Sequence, residues 1–100
     1  MAAVDPLLDD GALAAALGDL PSWSMRDGAL HRELVFRDFA TAFAFMTELA
    51  AVAERLDHHP DWCNSWNRVT VDVISHAAVG VTERCVALAT AADEIAARLL

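Results

Sequence analysis

The chain has 100 residues, the length of one small domain, with 56% hydrophobic residues and a formal net charge of −8. All seven basic residues are arginine and they lie scattered, so the field has the wrong sign for the phosphate neutralisation that nucleic-acid binding requires. No run of about 18 apolar residues without charge is present to cross a membrane.

The first ten residues, MAAVDPLLDD, are acidic and lack a basic leader region, so they do not read as a signal peptide. Asp5-Pro6 is a reasonable helix entry, and Gly18 and Pro21 a stop, which predicts a short first helix weakened by Gly11. In WSMRDGALHRELVF, Asp27-Gly28 supplies the positive φ angles of a two-residue hairpin turn. After the turn Leu30, Leu34 and Phe36 fall on one face and His31, Glu33 and Arg37 on the other, the alternation of a half-buried strand. His31 is expected at the surface.

Asp38 can cap a long helix over FATAFAFMTELAAVAERL, residues 39–56, with Phe39, Phe43, Met46, Ala50 and Ala53 as its apolar stripe. The helix must end before Pro60, and a residue preceding proline avoids the α region. His58 and His59 therefore stand where a helix gives way to a loop. CNSW, residues 63–66, can supply a strand, and NRVTVDVISH, residues 67–76, reads as another, with Val69, Val71, Val73 and Ser75 on one face and His76 at its end on the other. Thr82 can cap a last helix whose stripe is Cys85, Leu88, Ala92, Ile95 and Leu99. The order is α-β-β-α-β-β-α: an α+β domain with a four-stranded antiparallel sheet and helices packed on one face. A single domain over 1–100 is expected. Cys63 and Cys85 are too few for a disulfide framework, so a cytoplasmic, reducing context is the simpler one.

Glu54, His58-His59-Pro60, Trp62, Trp66 and His76, at these spacings, make the chain resemble the pterin-4a-carbinolamine dehydratases, also called 4a-hydroxytetrahydrobiopterin dehydratases. The Phe-rich helix before the motif and Thr82-Glu83-Arg84 after it fit the same pattern, over roughly Trp23 to Leu99. The resemblance implies removal of water from 4a-hydroxytetrahydropterins to give quinonoid dihydropterin, with the pterin as substrate and no cofactor or metal. It implies His58 and His76 as acid and base, with His59 mainly holding the pterin. Histidine suits proton transfer because its ordinary pKa of about 6.5 keeps both forms available near neutrality. Glu54 and Asp57 are positioned to orient the imidazoles, Trp62 and Trp66 to wall the site or shape its loop, and Ser75 to sit beside His76. The family also implies homodimers or homotetramers.

One position departs from the family. An aspartate usually stands three residues after the Ser or Thr that opens the last helix; here it is Cys85. The departure removes a capping-box acid and implies reduced activity if that carboxylate orients a catalytic histidine. Zinc on His58, His59, Cys63 and His76 is disfavoured, because the spacing matches no standard pattern. The alternative function is a non-catalytic pterin binder or a dimerisation-cofactor-like interaction module, for which the alanine-rich helices 39–56 and 83–99 would serve.

Overall fold

A computed structural model describes residues 4–100; the first three residues of the acidic N-terminal stretch lie outside the described residues. The order is α1 (Asp10–Asp19), β1 (Ser24–Arg26), β2 (Ala29–Val35), α2 (Phe39–Leu56), β3 (Asp61–Ser65), β4 (Arg68–Val73) and α3 (Glu83–Leu99). The strands form one antiparallel sheet in the order β1-β2-β4-β3. This is the α+β arrangement the sequence predicts.

The hairpin turn forms as expected, with φ of 50° at Asp27 and 82° at Gly28. Pairing of Leu30 with Val73 and of Leu34 with Val69 then puts Leu30, Leu34, Val69, Val71 and Val73 on one face. All five are buried, against Phe45 and Leu49 of α2 and Leu88, Ala92 and Ile95 of α3. Fully burying each large side chain contributes about 1.5–3 kcal/mol. The two long helices therefore cover one side of the sheet. The opposite side carries cross-strand polar pairs, His31 with Asp72 at 2.7 Å and Glu33 with Arg68. His31 is thus no simple surface residue: its ring is half-buried and hydrogen-bonded to the residue directly opposite in the ladder.

Arg32 points to the helix side, where its Nη1 and the Trp23 indole N–H both donate to Asp93 Oδ1, at 2.5 and 2.7 Å. This polar knot fastens β2 and the segment before β1 to α3.

Four elements differ from the sequence reading, among them β3, which starts at Asp61 and not at Cys63. α1 begins five residues after Asp5, because Asp9 takes the N-cap and its carboxylate accepts the Ala12 N–H at 2.8 Å. The preceding Leu8 amide donates instead to the Val81 carbonyl at 3.0 Å. α2 spans the predicted residues but is turned about its axis: its buried residues are Thr41, Ala42, Phe45, Leu49 and Ala53. Phe39 and Phe43 stack on each other in solvent, ring centroids 5.7 Å apart, instead of lying in the core. The sequence offers two overlapping apolar faces here, and the fit of Phe45 and Leu49 to the sheet selects between them. Finally, β4 stops at Val73, three residues short of His76. The chain then folds back through a bridge between Ser75 and Gly80.

No helix among the described residues is long and apolar enough to cross a membrane.

Candidate active site

The end of α2 is built by its backbone. Asp57 adopts the left-handed conformation, φ 51° and ψ 46°, and the His58 N–H reaches back to the Ala53 carbonyl at 3.0 Å. This is the 6→1 bond of a Schellman ending, formed here without glycine. It fixes His58 beside the last buried turn of the helix and leads into the irregular segment 58–60.

A second backbone device holds His76. The Ser75 carbonyl accepts N–H groups from Val79 at 2.8 Å and Gly80 at 3.3 Å, and its hydroxyl accepts that of Ala78 at 3.1 Å. His76 stands on this closed loop, largely exposed, with its Nε2 3.0 Å from Asp61 Oδ2 at the start of β3.

These two devices face one cavity of about 300 Å³, near the lower end of the range for small-molecule sites. Asp57, His58, His59, Ser75 and His76 line it, together with Val4, Asp5, Ile74, Ala77 and Arg84. The three imidazoles singled out from the sequence thus share one concavity, drawn from a helix end and a loop 17 residues away in the chain.

Each ring has a different neighbour. His59 Nε2 lies 2.5 Å from Glu54 Oε2, one helical turn back. His76 has Asp61. His58 Nε2 lies 3.1 Å from the sulfur of Cys85, which is fully buried in the first turn of α3 with the Thr82 hydroxyl 3.6 Å away. The contact to His58 that a carboxylate would make is therefore present, with a thiol as partner. Thr82 holds the N-cap position without a side-chain cap bond.

Burial lowers the pKa of His58 below the ordinary imidazole value, and the positive charge of Arg84 lowers it further. The carboxylate of Asp5 acts in the opposite direction, while His59 and His76 add smaller lowering contributions. The neutral form of His58 is thereby favoured; its Nε2 lies beside sulfur, and its Nδ1 has no hydrogen-bond partner among the described residues.

Other anticipated residues fall elsewhere. Asp57 lines the cavity, and its backbone amide caps α2 by donating to the Ala53 and Glu54 carbonyls. Pro60 separates His59 from β3. Trp62 is half-buried against the core, and Trp66 is exposed at the β3–β4 turn with φ 48°; neither is among the residues lining the histidine cavity. Cys63 is exposed on β3 and does not line this cavity, and no group of three or more metal-binding side chains occurs among the described residues. Sequence reasoning missed Asp5, Asp61 and Arg84. Only the fold-back at residues 75–80 and the crossing of residues 4–8 bring them in, and neither has a periodic signal.

Residues 6–95 match the family model described as pterin 4 alpha carbinolamine dehydratase. A protein of Afipia carboxidovorans named "Putative pterin-4-alpha-carbinolamine dehydratase" is 52% identical over 94 residues, 92% of this chain and 94% of that one. A crystal structure of a transcriptional coactivator/pterin dehydratase from Brucella melitensis superposes with a TM-score of 0.87 at 41% identity, covering 90% of this chain and 98% of the other. A pterin dehydratase-like protein identified as a RuBisCO assembly factor in the alpha-carboxysome aligns with a TM-score of 0.61 at 25% identity, over 74% of this chain and 86% of that one.

Proposed function

The chain belongs to the pterin 4 alpha carbinolamine dehydratase family, and from that premise we propose that it removes water from a 4a-hydroxytetrahydropterin to give the quinonoid dihydropterin. The observation that carries this reading is the shared cavity of His58, His59 and His76.

The elimination breaks the C4a–O bond and forms a C4a–N5 double bond. One group must protonate the departing hydroxyl and another must accept the N5 proton. His58 fits the second task, because burial and Arg84 keep it unprotonated. In the tautomer whose Nε2–H donates to the Cys85 sulfur, Nδ1 carries the lone pair that takes up the proton. His76, next to the Asp61 carboxylate, is the acid, and His59, held by Glu54, positions the ring system. The hydroxyl, protonated by His76, leaves as water; His58 then releases the N5 proton to solvent and the exposed His76 regains one from it, which resets both groups. Both transfers are served by imidazoles, so no cofactor or metal takes part in this reading. Two free cysteines suit a reducing, cytoplasmic setting.

The test follows dehydration of a freshly generated 4a-hydroxytetrahydropterin by stopped-flow absorbance. His58→Ala and His76→Ala are each expected to lose about 10²–10⁴-fold in rate while their circular dichroism is unchanged. Full activity in both variants would overturn the assignment.

The exposed Phe39–Phe43 pair favours a second reading alongside the first: the outer face of α2 meets a protein surface, in the simplest case another copy of this chain in a dimer or tetramer. That face lies outside the histidine cavity, so an interaction module and a dehydratase are compatible in one fold.

A further inference from the structure

The N-terminal segment, residues 4–8, is not part of any helix or strand, yet it is tied down at three points. The Leu8 N–H donates to the Val81 carbonyl at 3.0 Å. The Leu7 side chain lies over Gly80, so close that a methyl group added there would come within 2.6 Å of its Cδ2. Asp5 Oδ2 pairs with Arg84 Nε at 2.9 Å. Arg84 in turn directs Nη1 toward the Leu56 carbonyl at 3.5 Å, so its guanidinium joins the N-terminal segment, the end of α2 and the start of α3. Val4 and Asp5 line the cavity together with Arg84 and the histidine-bearing turns.

We propose that Asp5 is a positioning residue of this site, holding residues 4–8 as a wall of the histidine cavity and balancing the Arg84 guanidinium beside His58. The proposal rests on the cavity being the pterin site for its effect on turnover, but not for its effect on His58.

Among the described residues, few groups face His58. Cys85 meets its Nε2 from α3, Arg84 comes from the same helix turn, His59 and Asp57 flank it in the chain, and His76 approaches from the 75–80 loop. Glu54 and Asp61 are engaged with His59 and His76. Asp5 is the carboxylate that meets Arg84, and of the two charges it alone favours a proton on His58. Removing its charge leaves a guanidinium unbalanced in a partly enclosed space, where charges act more strongly than in bulk water. A ring that must take up the N5 proton then does so less readily, and the wall loses one of its three ties.

Asp5→Asn keeps the shape and the Leu8–Val81 bond, so the fold is not at stake. The His58 ring is titrated by NMR in wild type, Asp5→Asn, Asp5→Glu, Arg84→Gln and the Asp5→Asn/Arg84→Gln double variant. The expected result is a downward move of the His58 midpoint in Asp5→Asn, recovery in Asp5→Glu, an upward move in Arg84→Gln, and a smaller downward effect of Asp5→Asn once Arg84, which holds the carboxylate in place, is gone. In turnover, Asp5→Asn lowers kcat and raises KM, and Asp5→Glu restores both. An unchanged His58 midpoint in Asp5→Asn, or an equal change with and without Arg84, overturns the proposal. Should the wild-type chain fail to dehydrate 4a-hydroxytetrahydropterin, the functional reading falls, and the His58 titration still decides the role of Asp5.

Discussion

Replacing Cys85 by aspartate tests the protonation chemistry at its centre. The Cys85 sulfur sits 3.1 Å from His58 Nε2 in a fully buried position, so a carboxylate placed there meets the same nitrogen. A hydrogen bond to a charged partner is worth about 1.5–3 kcal/mol, against about 0.5–1.5 kcal/mol for a neutral one. The substitution therefore favours the imidazolium by roughly 1–2 kcal/mol over the thiol. With roughly half of that expressed when the proton is in flight, the rate gains about two- to fivefold. The carboxylate also lies at the third helical position of α3, where the helix dipole and the Thr82 hydroxyl offset part of its desolvation. The assay is stopped-flow dehydration at about pH 8, above the ordinary imidazole pKa, so that His58 starts neutral in both proteins. Cys85→Ala, which removes the partner altogether, is expected to be slower than wild type. If Cys85→Asp is no faster and Cys85→Ala no slower, with dihydropterin affinity equal in all three, the 85–58 contact has no part in the reaction.

The lowered pKa of His58 sets a pH profile. A base whose folded pKa is depressed binds fewer protons folded than unfolded, so its contribution to stability falls as pH drops from about 6.5 toward the folded pKa; the acid limb of kcat/KM is expected below about 6.5 in wild type and at higher pH in Cys85→Asp. Asp93→Ala leaves the largely buried Arg32 without its carboxylate and Trp23 without an acceptor, a loss of about 2–4 kcal/mol by urea denaturation, whereas Arg32→Met with Asp93→Leu is expected close to neutral. Gly28→Ala, at φ 82° with no neighbour closer than 3.8 Å to the added methyl, costs about 1–2 kcal/mol from backbone strain alone, read as a shift in Tm; a shift indistinguishable from zero contradicts the turn assignment. Phe39→Ser with Phe43→Ser is expected to reduce any oligomer in analytical sedimentation to the 10.8 kDa chain, and an unchanged profile removes that face as the contact.

What the sequence makes legible is whatever depends on periodicity or on a local stereochemical demand. Alternation at Leu30, Leu34, Val69, Val71 and Val73 gives the buried sheet face because a strand offers only two faces, and Asp27-Gly28 gives the turn because few residues tolerate its φ angles. Helix α2 is harder, since Phe39, Phe43, Phe45 and Leu49 offer two overlapping stripes and only the packed sheet distinguishes them. At the site, His58, His59 and His76 were identifiable by the spacing of a known motif. Their partners were not all so: Glu54 lies one turn from His59, but Asp61 meets His76 only because the chain folds back at Ser75, and Asp5 meets Arg84 only because the segment before α1 crosses to α3.

The location of His58 is set by main-chain hydrogen bonds, its own amide to Ala53 and that of Asp57 to Ala53 and Glu54. The loop bearing His76 is likewise closed on the Ser75 carbonyl. Neither set of main-chain bonds uses the side chain at position 85, whose sulfur reaches the loop only through a long contact of 4.0 Å to the Gly80 carbonyl. An exchange of carboxylate for thiol there changes the electronic partner of one imidazole while its position stays where the backbone puts it, and positioning is the larger share of what a preorganised site supplies. Dihydropterin affinity should therefore be nearly the same in Cys85→Asp, Cys85→Ser and Cys85→Ala, with the rates spread by the ability of each group to stabilise a protonated His58. A variant at position 85 that loses affinity together with rate would mean that the thiol holds the ring in place, and that the Schellman turn alone does not.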